Sequence, residues 1–133
     1  MPEFIPETVT PVPVPPGSDP GPATEPQQTR HCDHVDPTKP PPPAKAGNLV
    51  YVCVQLTERA GADVELEMET GGTGNQYVAT RRNPSFKEGE QVGAGLVVLK
   101  NRVDDSRLTI TVFGKDERGH RLPGKTATIE IEK

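Results

Sequence analysis

His31, Cys32 and His34, with Asp33 among them, are the one stretch of this sequence that gathers metal-ligating side chains. A structural zinc site needs a full tetrahedral ligand set at workable spacing. Here the ligand types crowd together, and the remaining histidine, His120, lies far along the chain. The stretch therefore reads as polar chain with no metal and no cofactor. Asp104-Asp105 and Asp116-Glu117 would have to join to offer calcium its oxygen ligands at one end of a β-sandwich. The EF-hand pattern is absent, and turn chemistry accounts for both acidic pairs. Pro40 to Pro43 followed by Ala44-Lys45 fits an SH3-type ligand, but a stiff spacer is the simpler account. Gly71 to Gly74 lacks the Gly-Lys-Ser/Thr of a phosphate loop and reads as a loop. No Ser-His-Asp, Cys-His or paired-carboxylate arrangement can be defended, so the chain reads as non-enzymatic, with no catalytic residues.

The elements that would have to position any such site divide the chain in two. Of sixteen prolines, fourteen lie between Pro2 and Pro43. Each fixes its own φ and disfavours helix for the residue before it. Residues 1–47 therefore read as an extended, polyproline-type arm that has no core and is expected to be disordered alone. Its apolar points, Phe4, Ile5, Val9, Val12 and Val14, are more than an idle linker needs, and they are the candidate partner-binding residues. Deleting residues 1–45 is accordingly expected to leave a folded domain that binds its assembly more weakly.

Residues 48–133 read as one small all-β domain. Leu49–Leu56 places Val50, Val52, Val54 and Leu56 on one face, with Tyr51 and Cys53 on the other. Asp63–Thr70 alternates Val64, Leu66 and Met68 with Glu65, Glu67 and Glu69, the mark of a sheet with one wet face. Gln76–Arg82, Gln91–Asn101, Arg107–Gly114 and Lys125–Glu132 are further strands, with turns at Asn83-Pro84, Lys87–Glu90 and Asp116–Gly119. About six short strands broken by Gly, Asn and Asp turns point to a sandwich or small barrel. Val52, Leu66, Ile110, Val112, Ile129 and Ile131 are expected to form one buried layer.

The net charge of −4 is mild and argues against nucleic acid. Basic residues cluster at Arg81, Arg82, Lys87, Lys100, Arg102 and Arg107, and acidic ones at Glu65, Glu67 and Glu69. They read as two solvated strand faces. No segment approaches a membrane span. Met1 to Phe4 has no basic start and no apolar run, so the chain reads as one kept in the cytoplasm or one whose export signal was removed. Two cysteines do not make a disulfide framework. Cys53 reads as a small buried residue, and pairing with Cys32 would need the arm to fold back in an oxidising compartment.

Leu108 to Gly119, followed by Thr126-Ala127-Thr128-Ile129-Glu130-Ile131, resembles the closing strand pair of bacterial and phage immunoglobulin-like domains. The resemblance implies an immunoglobulin-like β-sandwich used for adhesion, spacing or capsid decoration, and it brings no catalytic residues. The layout of arm plus compact β-domain is similar to the decoration, or cement, proteins of tailed bacteriophages. It implies a virion structural protein, made in the host cytoplasm, that binds the major capsid protein or another protein of a larger assembly, with self-association into a homo-oligomer as a further expectation. The alternative is an adhesion or stalk module at the bacterial cell surface.

Overall fold

The computed structural model describes residues 5–14, 32, 38–116 and 118–133. Its strands are β1 (Pro6–Val14), β2 (Ala44–Lys45), β3 (Leu49–Leu56), β4 (Val64–Glu65), β5 (Glu67–Gly71), β6 (Val78–Phe86), β7 (Val92–Leu99), β8 (Ser106–Phe113) and β9 (Lys125–Glu132). They form two sheets, ordered β1-β3-β7-β6-β4 and β2-β9-β8-β5. All pairs are antiparallel except β2 with β9. Setting aside the two-residue strands β2 and β4, the others fall in chain order into the A-B-E-D and G-F-C sheets of immunoglobulin-type sandwiches. Among the described residues no helix is long and apolar enough to cross a membrane.

Alternation supplies the core. Val50, Val52, Val54 and Leu56 of β3 pack with Val97 and Leu99 of β7 against Leu108, Ile110 and Val112 of β8 and Ile129 and Ile131 of β9. All six residues of the expected layer are buried there. In β7, Gly93 is small because Phe86 lies on it. A Cβ at Gly93 would stand 2.5 Å from the Ser85 carbonyl oxygen and 2.8 Å from the Phe86 ring.

The Asp63–Thr70 alternation keeps its expected facing but is two strands. Val64–Glu65 pairs with β6 and Glu67–Gly71 with β8, so the chain changes sheet at buried Leu66, whose amide donates to the Pro84 carbonyl at 2.9 Å. The expected turn at Asn83-Pro84 lies inside β6, where the register breaks between Arg82 and Ser85. Thr73–Tyr77, expected as loop and strand start, is a 3₁₀ turn. Gly72 leads into it at φ 81°, where a Cβ would meet the Arg107 carbonyl oxygen at 2.5 Å.

The proline-rich stretch contributes a strand of its own, since sheet pairing begins at Pro6, well before the division expected after residue 47. β1 pairs with β3 from Pro6 opposite Leu56 to Val14 opposite Leu49. The prolines permit this because of where they fall. The Leu56 amide donates to Gln91 on the β7 side, while the Thr57 amide donates to Ile5 on the β1 side. Thus the odd-numbered residues of β3 turn their amides toward β1. Their partners Thr8, Thr10, Val12 and Val14 can all donate in return. Pro11 and Pro13 fall between them, opposite Val52 and Val50, and a bulge after Pro6 brings that proline opposite Leu56. Each lies where an N–H would point off the sheet edge, the position an edge strand tolerates for proline.

Candidate functional site

Cys53 lies in the middle of β3, on the face turned away from the core, between Thr10 of β1 and Ala94 of β7. It is bonded to Cys32, with the two Cα atoms 5.6 Å apart. The expectation that Cys53 is buried holds, at 5% exposure, but its sulfur is committed to a disulfide. In an immunoglobulin-type sandwich the characteristic bridge joins the two sheets through the core. This one instead ties the β1–β2 connection to the outer side of one sheet. Cys32 is half-exposed. Beside the bridge is a hollow of about 50 Å³ lined by Thr8, Thr10, Cys32, Cys53, Val54, Gln55 and Val92.

The bridge closes a loop with a sequence separation of 21. Loop-closure entropy for that length corresponds to roughly 3 kcal/mol. The double variant Cys32→Ser with Cys53→Ser is expected to lose about that much stability in urea melts, and a loss near zero would mean that the bridge constrains nothing.

Of the arm residues expected to hold a partner, Phe4 lies outside the described residues. The others lie in β1 or just before it. Ile5 accepts the Thr57 amide at 3.1 Å, and Val9 packs against the core. Val12 and Val14 are half-buried in β1, opposite Tyr51 and Leu49. Sequence reading missed the donor-side phase of the prolines, which was the available signal.

The outer side of the four-stranded sheet is different in kind. Thr111 and Thr126 share a hydroxyl hydrogen bond at 2.9 Å, beside Thr109 paired with Thr128. Around them stand Arg107 with Glu130 at 2.9 Å, Arg121 with Glu69 at 3.4 Å, and Lys115 with Glu67 at 3.7 Å. The Arg121 guanidinium also lies 3.8 Å from the centroid of the Phe113 ring. These pairs are solvent-exposed and each contributes only about 0–1 kcal/mol. Their effect is on the surface: charges of both signs interleave, so the acidic and basic clusters do not make two opposed faces. Arg81, from the basic cluster, donates to the Thr70 hydroxyl at 3.1 Å across the open side of the sandwich.

The acidic pairs are turn and anchor residues. Asp116 accepts the amides of Arg118 and His120, at 2.9 and 2.8 Å. Asp105 accepts the Lys133 amide at 2.8 Å, and Asp104 the Tyr77 hydroxyl at 3.0 Å. Asp104 and Asp105 precede β8 while Asp116 follows it, so they stand at opposite ends of a strand on the order of 25 Å long. A shared calcium site is thereby excluded for these residues. Among the described residues no three acidic, histidine or cysteine side chains group to hold a metal ion. His31 and His34 lie outside the described residues, and Cys32 offers no free thiolate.

The Tyr77 hydroxyl has its pKa raised above the ordinary 10.0, first by the hydrogen bond to the Asp104 carboxylate, then by desolvation and by that carboxylate's charge. A raised value in the folded state favours folding below the ordinary pKa and loses that contribution as pH climbs through the raised one. Following the Tyr77 ring carbons by NMR through alkaline pH should show ionisation later than in the unfolded chain. Asp104→Asn should bring it earlier. A midpoint indifferent to that change would remove Asp104 as the cause.

No protein-family model matches the sequence, no curated protein matches it, and no solved structure matches it.

Proposed function

We propose that this chain is a non-enzymatic structural or binding module that works in an oxidising environment, of the adhesion or stalk kind carried on bacterial cell surfaces. The observation that carries the proposal is the Cys32–Cys53 bridge. Disulfides persist in extracytoplasmic proteins and are rare where cellular thiol systems keep cysteines reduced. The fold supports the same reading: a sandwich stabilised by its own paired strands, with one flat polar sheet face built of threonines and neutralised ion pairs.

The capsid-decoration reading had its mechanism in a free arm running over neighbouring subunits. β1 pairs residues 6–14 of that segment with β3 and lays Val9 against the core, which favours the adhesion or stalk reading. The partner of the proposed module is a protein surface that the four-stranded sheet meets without strong charge steering.

The test is peptide mapping under non-reducing conditions on protein isolated from its natural source, with surface and cytoplasmic fractions kept apart. The expected result is the bridged Cys32–Cys53 peptide in the surface fraction. Free thiols in a cytoplasmic pool would overturn the proposal. Co-purification of the bridged protein with viral particles would overturn it in favour of decoration.

A further inference from the structure

We propose that the Cys32–Cys53 bridge is a thiol-exchange site that accepts a small aliphatic thiol of the glutathione or cysteine class, and that the thiol adds to Cys32. The two sulfurs are not equivalent. Cys53 is 5% exposed in the centre of β3, flanked by Thr10 and Ala94 on the neighbouring strands. Cys32 is half-exposed. The hollow at the bridge, about 50 Å³, exceeds the ~30 Å³ share of one water molecule and suits the terminal CH₂–S⁻ of a small thiol. Among the described residues its walls bring Thr8, Thr10 and Gln55 as polar groups and Val54 and Val92 as apolar ones. Val92 is the one large exposed hydrophobic side chain among the described residues, and it stands at this rim.

The exchange balances with thiol as the only reductant. An external thiolate forms a bond to Cys32 Sγ while the Cys32–Cys53 bond breaks. The electron pair leaves on Cys53 Sγ, which takes a proton from water. The mixed disulfide on Cys32 then yields to a second thiolate, giving the oxidised external disulfide and a free Cys32 thiolate. Access to the attacked sulfur governs the first step. The sandwich does not depend on the bridge for its core, because neither cysteine belongs to the buried cluster shared by the two sheets. Exchange therefore proceeds in the folded molecule.

The experiment exposes the full folded chain to reduced glutathione at mildly alkaline pH and stops it with acid and maleimide at early times. Peptide mass spectrometry then locates the adduct. Glutathione on Cys32 should exceed that on Cys53 by roughly tenfold or more, as differential access requires. The adduct should also form faster than the β8 amides exchange by global unfolding. Equal adducts, an adduct mainly on Cys53, or reduction no faster than unfolding would each overturn the proposal. The single-thiol variants, taken at a temperature where circular dichroism shows both folded, give a second reading. Cys53→Ser should label with a maleimide rapidly and Cys32→Ser slowly, and equal rates would again overturn it. The outcome is independent of the cellular compartment proposed above.

Discussion

A chain that begins at Pro15 is expected to lose the sandwich rather than only its reach. β1 is the edge partner of β3 along the whole of that strand, and β3 is central to the core. Removing it leaves the β3 amides that face β1 without protein partners. It also uncovers the side of Val50, Val52 and Val54 that Pro13, Pro11 and Val9 lie against. Burying one valine fully contributes about 1.5–3 kcal/mol, and β1 brings three half-buried valines together with buried Pro6 and Pro11. The loss is on the order of 5 kcal/mol, a large part of the ~5–15 kcal/mol that holds a typical domain. Circular dichroism and sedimentation of the truncated chain should show an unfolded or aggregating species. A point substitution separates pairing from mere length. Val12→Pro removes a donor that faces β3 and should be strongly destabilising, while Pro13→Val, at a position facing off the edge, should be nearly neutral. Equal melting temperatures for the truncated and full-length chains would remove β1 from the folding unit.

The sequence reading expected the opposite outcome from deleting residues 1–45, and the reason is physical. Polyproline and β-strand backbones share one region of φ and ψ, so proline density alone does not separate a free arm from an edge strand. What separates them is phase. Pro11 and Pro13 are two apart, and a strand offers every second amide to its one neighbour. Strands with a complete apolar set were legible without this subtlety. β3, β7, β8 and β9 fall where alternation placed them, with Leu96 and Val98 half-buried on the second face of β7. The change of sheet at Leu66 was not legible, because a residue buried at the corner continues the same period of two. The bridge was not legible either, since the spacing of two cysteines says nothing of whether Cys32 meets the outer side of β3. Nor did the charge clusters foretell their pairing: Glu67 and Glu69 meet Lys115 and Arg121 from the β8–β9 connection, residues outside the basic cluster seen in the sequence.

Truncation of Ile110 to alanine is expected to cost about 2–5 kcal/mol, the range found for removing large aliphatic side chains from packed cores. Ile110 is fully buried in the middle of β8, paired with Thr70 of β5 on one side and Ala127 of β9 on the other. Its side chain points to the facing sheet, where β3 and β7 supply the valines of the cluster. Neither neighbour on its own face can fill the space, because Ala127 is small and Thr70 is held by hydrogen bonds to Asn75 and Arg81. The sheet backbone is fixed by pairing on both edges of β8, so collapse into the cavity is restricted and the cost should fall in the upper half of the range. Ile110→Val, which keeps the branched shape, should cost about 0.5–1.5 kcal/mol by the same reasoning. Thr111→Ala provides the contrast. Its side chain lies on the wet face, where it loses only the hydroxyl contact with Thr126, and changes there are usually within about 0.5 kcal/mol. Urea melts of the three variants test the facing of β8 directly. An Ile110→Ala loss well below 1 kcal/mol, or a Thr111→Ala loss that exceeds it, would mean that the strand is turned the other way.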